Sequence, residues 1–344
     1  MCNGWRTGRI TRMYESLHNH TTTSDGIQTY EEVLQSAEAA NIGVLAFTDH
    51  DALPSPQNLA RLQKYDGAVK WLTGIELTSY VPKAEGGPEK GALHILGLFV
   101  NPHYRPLVEF CQQAGQARVE RMRAILRRLR ELGFTLTETD VRRFAPSNNI
   151  VLPHIVSAVL SYPENRQLMG QIKEQMSQKA EDDPEVKKAY NLMMKYGPKQ
   201  YPYALFMTRH AFLPMEVDEV NNLLDADRTV KLIHEAGGIA IMAHWYYNEH
   251  KLSEAGLRAM LKRDALDGLE SVIINTIGEK DETEEVNRTR KLIEEFGVAE
   301  TVGSDSHSAA DLEAFAQSRY AAESQGQTAR LVERFRPDLS WSNL

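Results

Sequence analysis

Short apolar runs alternate along the chain with longer stretches in which apolar positions recur every three or four residues. Seven runs read as strands: "YESLHNH", "GVLAFTDH", "VKWLTGIEL", "ALHILGLFV", "GIAIMAHW", "LDGLESVII" and "AETVGSDSH". Between them "TYEEVLQSAEAAN", "RTVKLIHEAGG" and "ETEEVNRTRKLIEEFG" carry helical spacing, and the last ends in Phe-Gly, a helix stop. Alternation of this kind predicts a parallel α/β architecture. The rhythm breaks for more than a hundred residues between the fourth and fifth strands. There "QARVERMRAILRRLRELG" is a strongly periodic helix, and "QIKEQMSQKAEDDPEVKKAYNLMMKYG" reads as helical and solvated.

The pattern divides the chain into an N-terminal arm at 1–12, a first barrel part at 13–100, a helical insertion at 101–215 and a second barrel part at 216–344. The insertion is expected to serve as a lid, without chemistry of its own. The arm, "MCNGWRTGRITR", has no apolar periodicity, and Met1 and Met13 both stand as candidate starts. No internal repeat interrupts this organisation.

Composition narrows the function classes. With 42% hydrophobic and 25% charged residues, 344 residues are enough for one large barrel or two ordinary domains. A net charge of −8 argues against non-specific clamping of nucleic acid, so no stable nucleic-acid complex is expected. A small basic pocket for a phosphorylated substrate is compatible with that charge. Cys2 and Cys111 cannot build a disulfide framework, which makes a reducing cytoplasm the expected location. No apolar run approaches the roughly 20 residues of a membrane span, and no signal-peptide pattern opens the chain.

Six of the eleven histidines stand at or near the C-terminal end of a strand candidate or in its first turn: His18, His20, His50, His94, His244 and His307. Asp25, Asp49, Asp51, Glu76 and Asp305 accompany them. The strand ends of a βα barrel open onto one face, so residues distant in sequence meet there. His18 and His20, two apart on a strand, project to one side, and Asp305 and His307 repeat that spacing. Imidazole and carboxylate together suit divalent zinc, iron or manganese, whereas thiolates would favour structural zinc or clusters. Taken singly, each piece has a plainer explanation. "TDHD" also reads as a helix cap, and "ALHILGL" or "IMAHW" as a satisfied core histidine. Coincidence at five strand ends is the weaker account. The set is large enough for two or three ions with a bridging carboxylate, and such sites turn bound water into a nucleophile and clamp phosphoryl oxygens.

"HNHTTTSDG", "FTDHD", "GIELTS", "LHILGL", "MAHW" and "GSDSH" resemble, in order and spacing, the motifs of the PHP (polymerase and histidinol phosphatase) family, from about Tyr14 to His307. The insertion and "RTVKLIHEAGGIAIMAH" look most like the branch of 3′,5′-nucleoside bisphosphate phosphatases, RNA 5′-end trimming enzymes and cyclic phosphate hydrolases. The resemblance implies an α/β fold, a distorted seven-stranded βα barrel with a helical insertion, and a trinuclear metal centre. One ion would take His18, His20, Glu76 and Asp305; a second, Glu76, His94 and His244; a third, Asp25, His50 and His307. Asp49 and Asp51 read as groups that orient His50.

Two positions depart from that branch. Leu152 stands two residues before His154, where the branch carries an arginine that meets the substrate phosphate together with the histidine. Trp245 follows His244 where proline is usual; it would stack on a base or simply pack. Arg209 and His210 are the candidate substitutes for the missing guanidinium. The resemblance therefore implies a metal-dependent phosphoesterase for a nucleotide or small phosphorylated metabolite, with short RNA ends within reach. A metal-bridging hydroxide would attack phosphorus, and His154, His210 or Asp305 would protonate the leaving oxygen. A histidinol-phosphate phosphatase fits the long insertion less well. A non-catalytic accessory domain would have lost ligands that this chain retains.

Overall fold

The computed structural model describes residues 13–82, 92–145, 147–207, 211–215, 217, 223–263, 265–273 and 283–339. Eight strands form its sheet: β1 Tyr14–Ser16, β2 Ile42–Phe47, β3 Lys70–Tyr80, β4 Leu93–Leu98, β5 Leu224–Asp225, β6 Ile239–Met242, β7 Gly268–Val272 and β8 Ala299–Val302. The seven expected strands are all present, and the two-residue β5 is the addition. The order is β1-β2-β3-β4-β6-β7-β8, with β5 paired to β3. Beyond the ends of β1 and β8, Asn19 and Ser306 form a parallel bridge in which the His20 N–H donates to the Ser306 carbonyl over 2.8 Å. That bridge joins the first and last strands and makes the sheet a distorted barrel.

One expectation of strand direction fails. β4 runs antiparallel to both β3 and β6, so the sheet is mixed. His94 consequently lies at the N-terminal end of its strand, not the C-terminal end. Reversal of that one strand brings it to the same rim as the others.

The barrel unit comprises the described residues within 13–21, 26–108 and 224–339. Its helices are α1 Tyr30–Ala39, α2 Pro56–Leu62, α8 Ala226–Glu235, α9 Glu254–Lys262, α10 Thr283–Phe296, α11 Ala309–Gln317 and α12 Gln327–Phe335. Sequence sets their starts. Thr29 and Glu32 form a reciprocal capping box at α1, and Ser55, Asp225 and Ser253 cap α2, α8 and α9. β2 is buried at every position because its residues serve two cores, alternating from Val44 onward. Ile42, Leu45 and Phe47 pack with Leu34, Val302 and Phe315, while Val44 and Ala46 pack with Leu17, Leu96 and Ile241.

The second unit takes in the described residues within 22–25 and 109–223. Its helices are α3 Arg105–Glu131 (whose first turn belongs to the barrel), α4 Glu138–Arg142, α5 Leu152–Ser161, α6 Pro163–Asp182 and α7 Pro184–Tyr196. Met122, Leu126 and Leu129 of α3 meet Ile155 and Val159 of α5 and Phe206 in a core of their own. The apolar period read in "QARVERMRAILRRLRELG" is the buried face of α3. Residues 1–12, with the expected arm, lie outside the described residues.

Candidate metal centre

Glu76 and His94 lie within β3 and β4, but other strands stop short of their candidate ligands. β1 ends at Ser16 and β8 at Val302, so His18, His20, Asp305 and His307 lie in the segments that leave the ladder. Asp51, His244 and Asp305 adopt positive φ of 46°, 32° and 48°, conformations that are uncommon for side chains of this size. At His244 and Asp305 these bends break the strand's alternation and turn the side chains toward Glu76 and His20.

Glu76, fully buried on β3, is the centre of the arrangement. Its Oε1 lies 2.9 Å from His94 Nδ1 and 2.9 Å from His244 Nε2. Its Oε2 lies 2.9 Å from His50 Nδ1, 3.3 Å from His20 Nε2 and 3.4 Å from His18 Nε2. The five rings follow one another around it, with centroid separations of 5.1, 4.7, 4.9, 5.2 and 5.7 Å in the cycle His18, His20, His50, His94, His244. Asp305 Oδ1 sits 3.1 Å from His20 Nε2 and 3.4 Å from His18 Nε2, and the His307 ring stacks on His20 at 4.5 Å.

The donor set fits divalent cations. Ligand atoms lie within 4.8 Å of one another in the groups His18–His20–Asp305, His18–Glu76–His244, His50–Glu76–His94 and His20–His50–His307. His18 and His20 point their Nε2 atoms at each other across 3.2 Å, with two carboxylates alongside. A neutral imidazole carries one lone pair, and a bound cation would draw both of these nitrogens to it beside anionic oxygens. Glu76 Oε2 and His94 Nδ1 are buried and make no hydrogen bond of proper geometry, although an N···O contact of 2.9 Å faces each. Nitrogen and oxygen so placed share a cation more readily than a proton.

The electrostatics agree. Burial works against an ionised Glu76, but the imidazoles of His50, His94 and His18 outweigh it and hold the carboxyl well below its usual range. Burial likewise opposes charge on Asp305, and His18, His20 and His307 overcome it. Burial lowers His94 to about 4 despite Glu76, which leaves its imidazole neutral and able to ligate. His18 is raised well above the ordinary imidazole value: burial lowers it, and Glu270, Asp305 and Glu76 together more than compensate.

Other candidates fall differently. Asp25 sits in a turn closed by the Gly26 N–H donating to the Thr21 carbonyl over 3.0 Å. Asp49 accepts from the Thr21 N–H and hydroxyl and from the Tyr30 hydroxyl, and Asp51 accepts from the Thr78 N–H and hydroxyl. The two aspartates thus pin the chain on either side of His50 to neighbouring segments, and no contact with its ring is needed for that. Trp245 is fully buried and donates its indole N–H to the Leu252 carbonyl over 2.8 Å. It packs, and it offers no face for stacking on a base. His154, in the first turn of α5, is buried, and its Nδ1 accepts from the Val151 N–H over 3.3 Å, so its proton sits on Nε2. Leu152 opens α5 two residues before it. Arg209 and His210 lie outside the described residues. Sequence reading passed over Glu270, a buried carboxylate of β7 whose two oxygens lie 3.1 Å from His18 Nδ1. Its one sequence signal was an acid inside the apolar run "GLESVII".

A βα barrel with buried imidazoles and carboxylates gathered at one rim is the layout of a metal-dependent hydrolase. The chain belongs to the PHP domain family, whose model matches residues 16–297. Curated relatives include a phosphoribosyl 1,2-cyclic phosphate 1,2-diphosphodiesterase from Eggerthella lenta, 28% identical over 67% of this chain and 74% of that protein. A 5′-3′ exoribonuclease from Haemophilus influenzae is 24% identical over 87% of this chain and 91% of its own length. Among solved structures, a protein described as a metal-dependent phosphoesterase from Bifidobacterium adolescentis superposes with a TM-score of 0.62 at 20% identity, covering 86% of this chain and 88% of that one. That likeness establishes the fold.

Proposed function

We propose that the protein hydrolyses a phosphate ester of a nucleotide or small phosphorylated metabolite. Hydrolysis of phosphoric ester bonds is the activity carried by the family membership and the buried cluster together. The substrate assignment is the finer step. The observation that supports it most directly is the Glu76 carboxylate ringed by five imidazole nitrogens at 2.9–3.4 Å. Such a centre serves reactions that need several divalent charges on one oxyanion.

In this reading His18, His20, Glu76 and Asp305 hold one ion, Glu76, His94 and His244 a second, and Asp25, His50 and His307 a third. Manganese, zinc and iron all suit the set. His50 faces Glu76 as closely as His94 does, so Glu76 also stands within reach of the third group. When bound, divalent ions ionise water near neutral pH and neutralise the oxygens of a phosphoryl group. The chain's own contribution is placement. Asp49 and Asp51 fix the backbone around His50, and the positive-φ bends aim His244 and Asp305 inward. Asp305, held as a carboxylate by three imidazoles, is suited to ligation more than to donating a proton. His154, whose Nε2 carries the proton, and His210 are then the better donors to the leaving oxygen, with His154 also assigned to the substrate phosphate.

Two relatives named above are a phosphodiesterase and an exoribonuclease, so diesters and short RNA 5′ ends belong in the test. The experiment is phosphate or nucleotide release by manganese-loaded protein from AMP, 3′,5′-adenosine bisphosphate, a cyclic phosphate, a 5′-phosphorylated oligoribonucleotide and histidinol phosphate. Turnover of a nucleotide supports the proposal. Turnover of histidinol phosphate alone, or of none, overturns it.

A further inference from the structure

We propose that Glu270 is a positioning residue for the metal centre, fixing the orientation of His18 and the backbone of His244 at once. The inference rests on the metal-centre reading above, and Glu270 belongs to none of the ligand groups assigned there. It lies in the middle of β7, 1% exposed.

Three observations converge on it. Both carboxylate oxygens stand 3.1 Å from His18 Nδ1. The carboxylate accepts from Nδ1, so Nε2, which faces Glu76 and Asp305, is the nitrogen that would ligate. A carboxylate behind a ligating histidine is the usual means of setting tautomer and ring angle. The same carboxylate, through Oε2, accepts the His244 backbone N–H over 3.1 Å. His244 is the non-glycine residue with φ of 32° that turns out of β6, and this bond secures the turn from which its Nε2 reaches Glu76. Finally, the third side of the pair is kept open by a glycine. A Cβ at Gly303 would come 2.7 Å from Glu270 Oε1 and 2.7 Å from His18 Cβ. A larger residue there would push the two apart. One buried acid therefore supports ligands assigned to two different ions.

The test uses the full-length protein and the variants Glu270→Gln and Glu270→Ala. Metal affinity is measured by titrating Mn²⁺ and Zn²⁺ against a competing chelator, and the His18 tautomer by ¹⁵N chemical shifts of the Zn²⁺-loaded protein. Glu270→Ala should lose about 10–100-fold in affinity for at least one ion, and His18 should leave the Nδ1–H tautomer. Glu270→Gln keeps one acceptor oxygen and should fall between that variant and wild type. Circular dichroism establishes that each variant folds. If Glu270→Ala does not fold, Glu270→Gln and Gly303→Ala decide, since both leave the chain topology intact while disturbing the pair. Wild-type affinity together with a wild-type His18 tautomer in a folded variant would overturn the inference and leave the metal centre standing. A wild-type protein that binds no ion would overturn both.

Discussion

Glu15 and Thr328 stand 313 positions apart in the chain, yet the Glu15 carboxylate accepts both the N–H and the hydroxyl of Thr328, at 2.8 and 2.6 Å. Its other oxygen takes the Gly326 N–H at 2.7 Å. An acid on β1 thus caps the start of α12, where the exposed N–H groups and helix dipole favour negative charge. Gln327 completes the seam by bonding the carbonyls of Glu15 and Val302. Glu15→Ala should cost about 3 kcal/mol, since bonds to charged groups contribute about 1.5–3 kcal/mol and buried donors are left unpaired. Glu15→Gln should cost about half as much. Urea denaturation of the metal-free protein measures both, and a loss under 0.5 kcal/mol (roughly the surface-site scale) for the alanine variant would mean that α12 is held by its apolar face alone.

Glu76→Gln should be the most damaging single carboxylate change at the centre. It removes the charge that five imidazoles surround. Outer partners of metal ligands already matter by about 10–100-fold, so a central carboxylate should cost at least on the order of a hundredfold in turnover. Elemental analysis should show fewer ions per chain than in wild type. Near-normal turnover with full metal content would remove Glu76 from its assigned place.

His234 gives a pH dependence away from the centre. Its Nε2 lies 2.7 Å from Asp267 Oδ2, and that hydrogen bond, against the opposing effect of burial, raises its pKa. A raised folded-state value means that stabilisation is complete below the unfolded value near 6.5. It is lost as pH climbs through the higher folded value. The pair is half exposed, so the effect should stay below about 1 kcal/mol. Stability should therefore decline between about pH 6.5 and the alkaline side, and His234→Gln should flatten that stretch of the curve. An unchanged slope in the variant would assign the decline to other groups.

Trp245→Phe separates packing from recognition. The buried indole bonds the Leu252 carbonyl, and the Arg288 guanidinium lies over its ring at 5.2 Å. The substitution should lower stability by about 1–2 kcal/mol with KM for a nucleotide nearly unchanged. A KM raised tenfold at wild-type stability would restore a role in base stacking.

What was legible in the sequence follows from where each signal resides. The cluster of imidazoles and carboxylates could be read because strand periodicity and the His-x-His and Asp-x-His spacings are local, and barrel topology gathers strand ends whatever the loops do. The direction of β4 is a matter of how its neighbours pair, which no short window contains, so His94 was given the wrong end of its strand. Glu270 carries no motif, and only the fold reveals that its carboxylate meets His18. Trp245 looked like a rim residue because it follows a ligand, but the chain turns sharply at His244 and carries the indole inward.

Substrate choice turns on Leu152. The family resemblance implies a guanidinium for phosphate at that place, and a leucine at the head of α5 has no charge to offer. A bidentate charged contact contributes about 1.5–3 kcal/mol, or roughly ten- to hundredfold in affinity. Its loss should leave poor discrimination between mono- and bisphosphorylated nucleotides. The described residues do place one cation near enough to act on His154: after burial, the Arg118 guanidinium on α3 opposes its protonation while Asp25 favours it. The measurement is kcat/KM for 3′,5′-adenosine bisphosphate against AMP at identical metal loading. A ratio within about tenfold is expected, the size of one weak contact. A preference of several thousandfold for the bisphosphate would mean that another cation has taken over the second phosphate. Arg118→Ala and Arg209→Ala would then identify it, because the variant that removes the replacement should return the ratio to near ten while the other leaves it high.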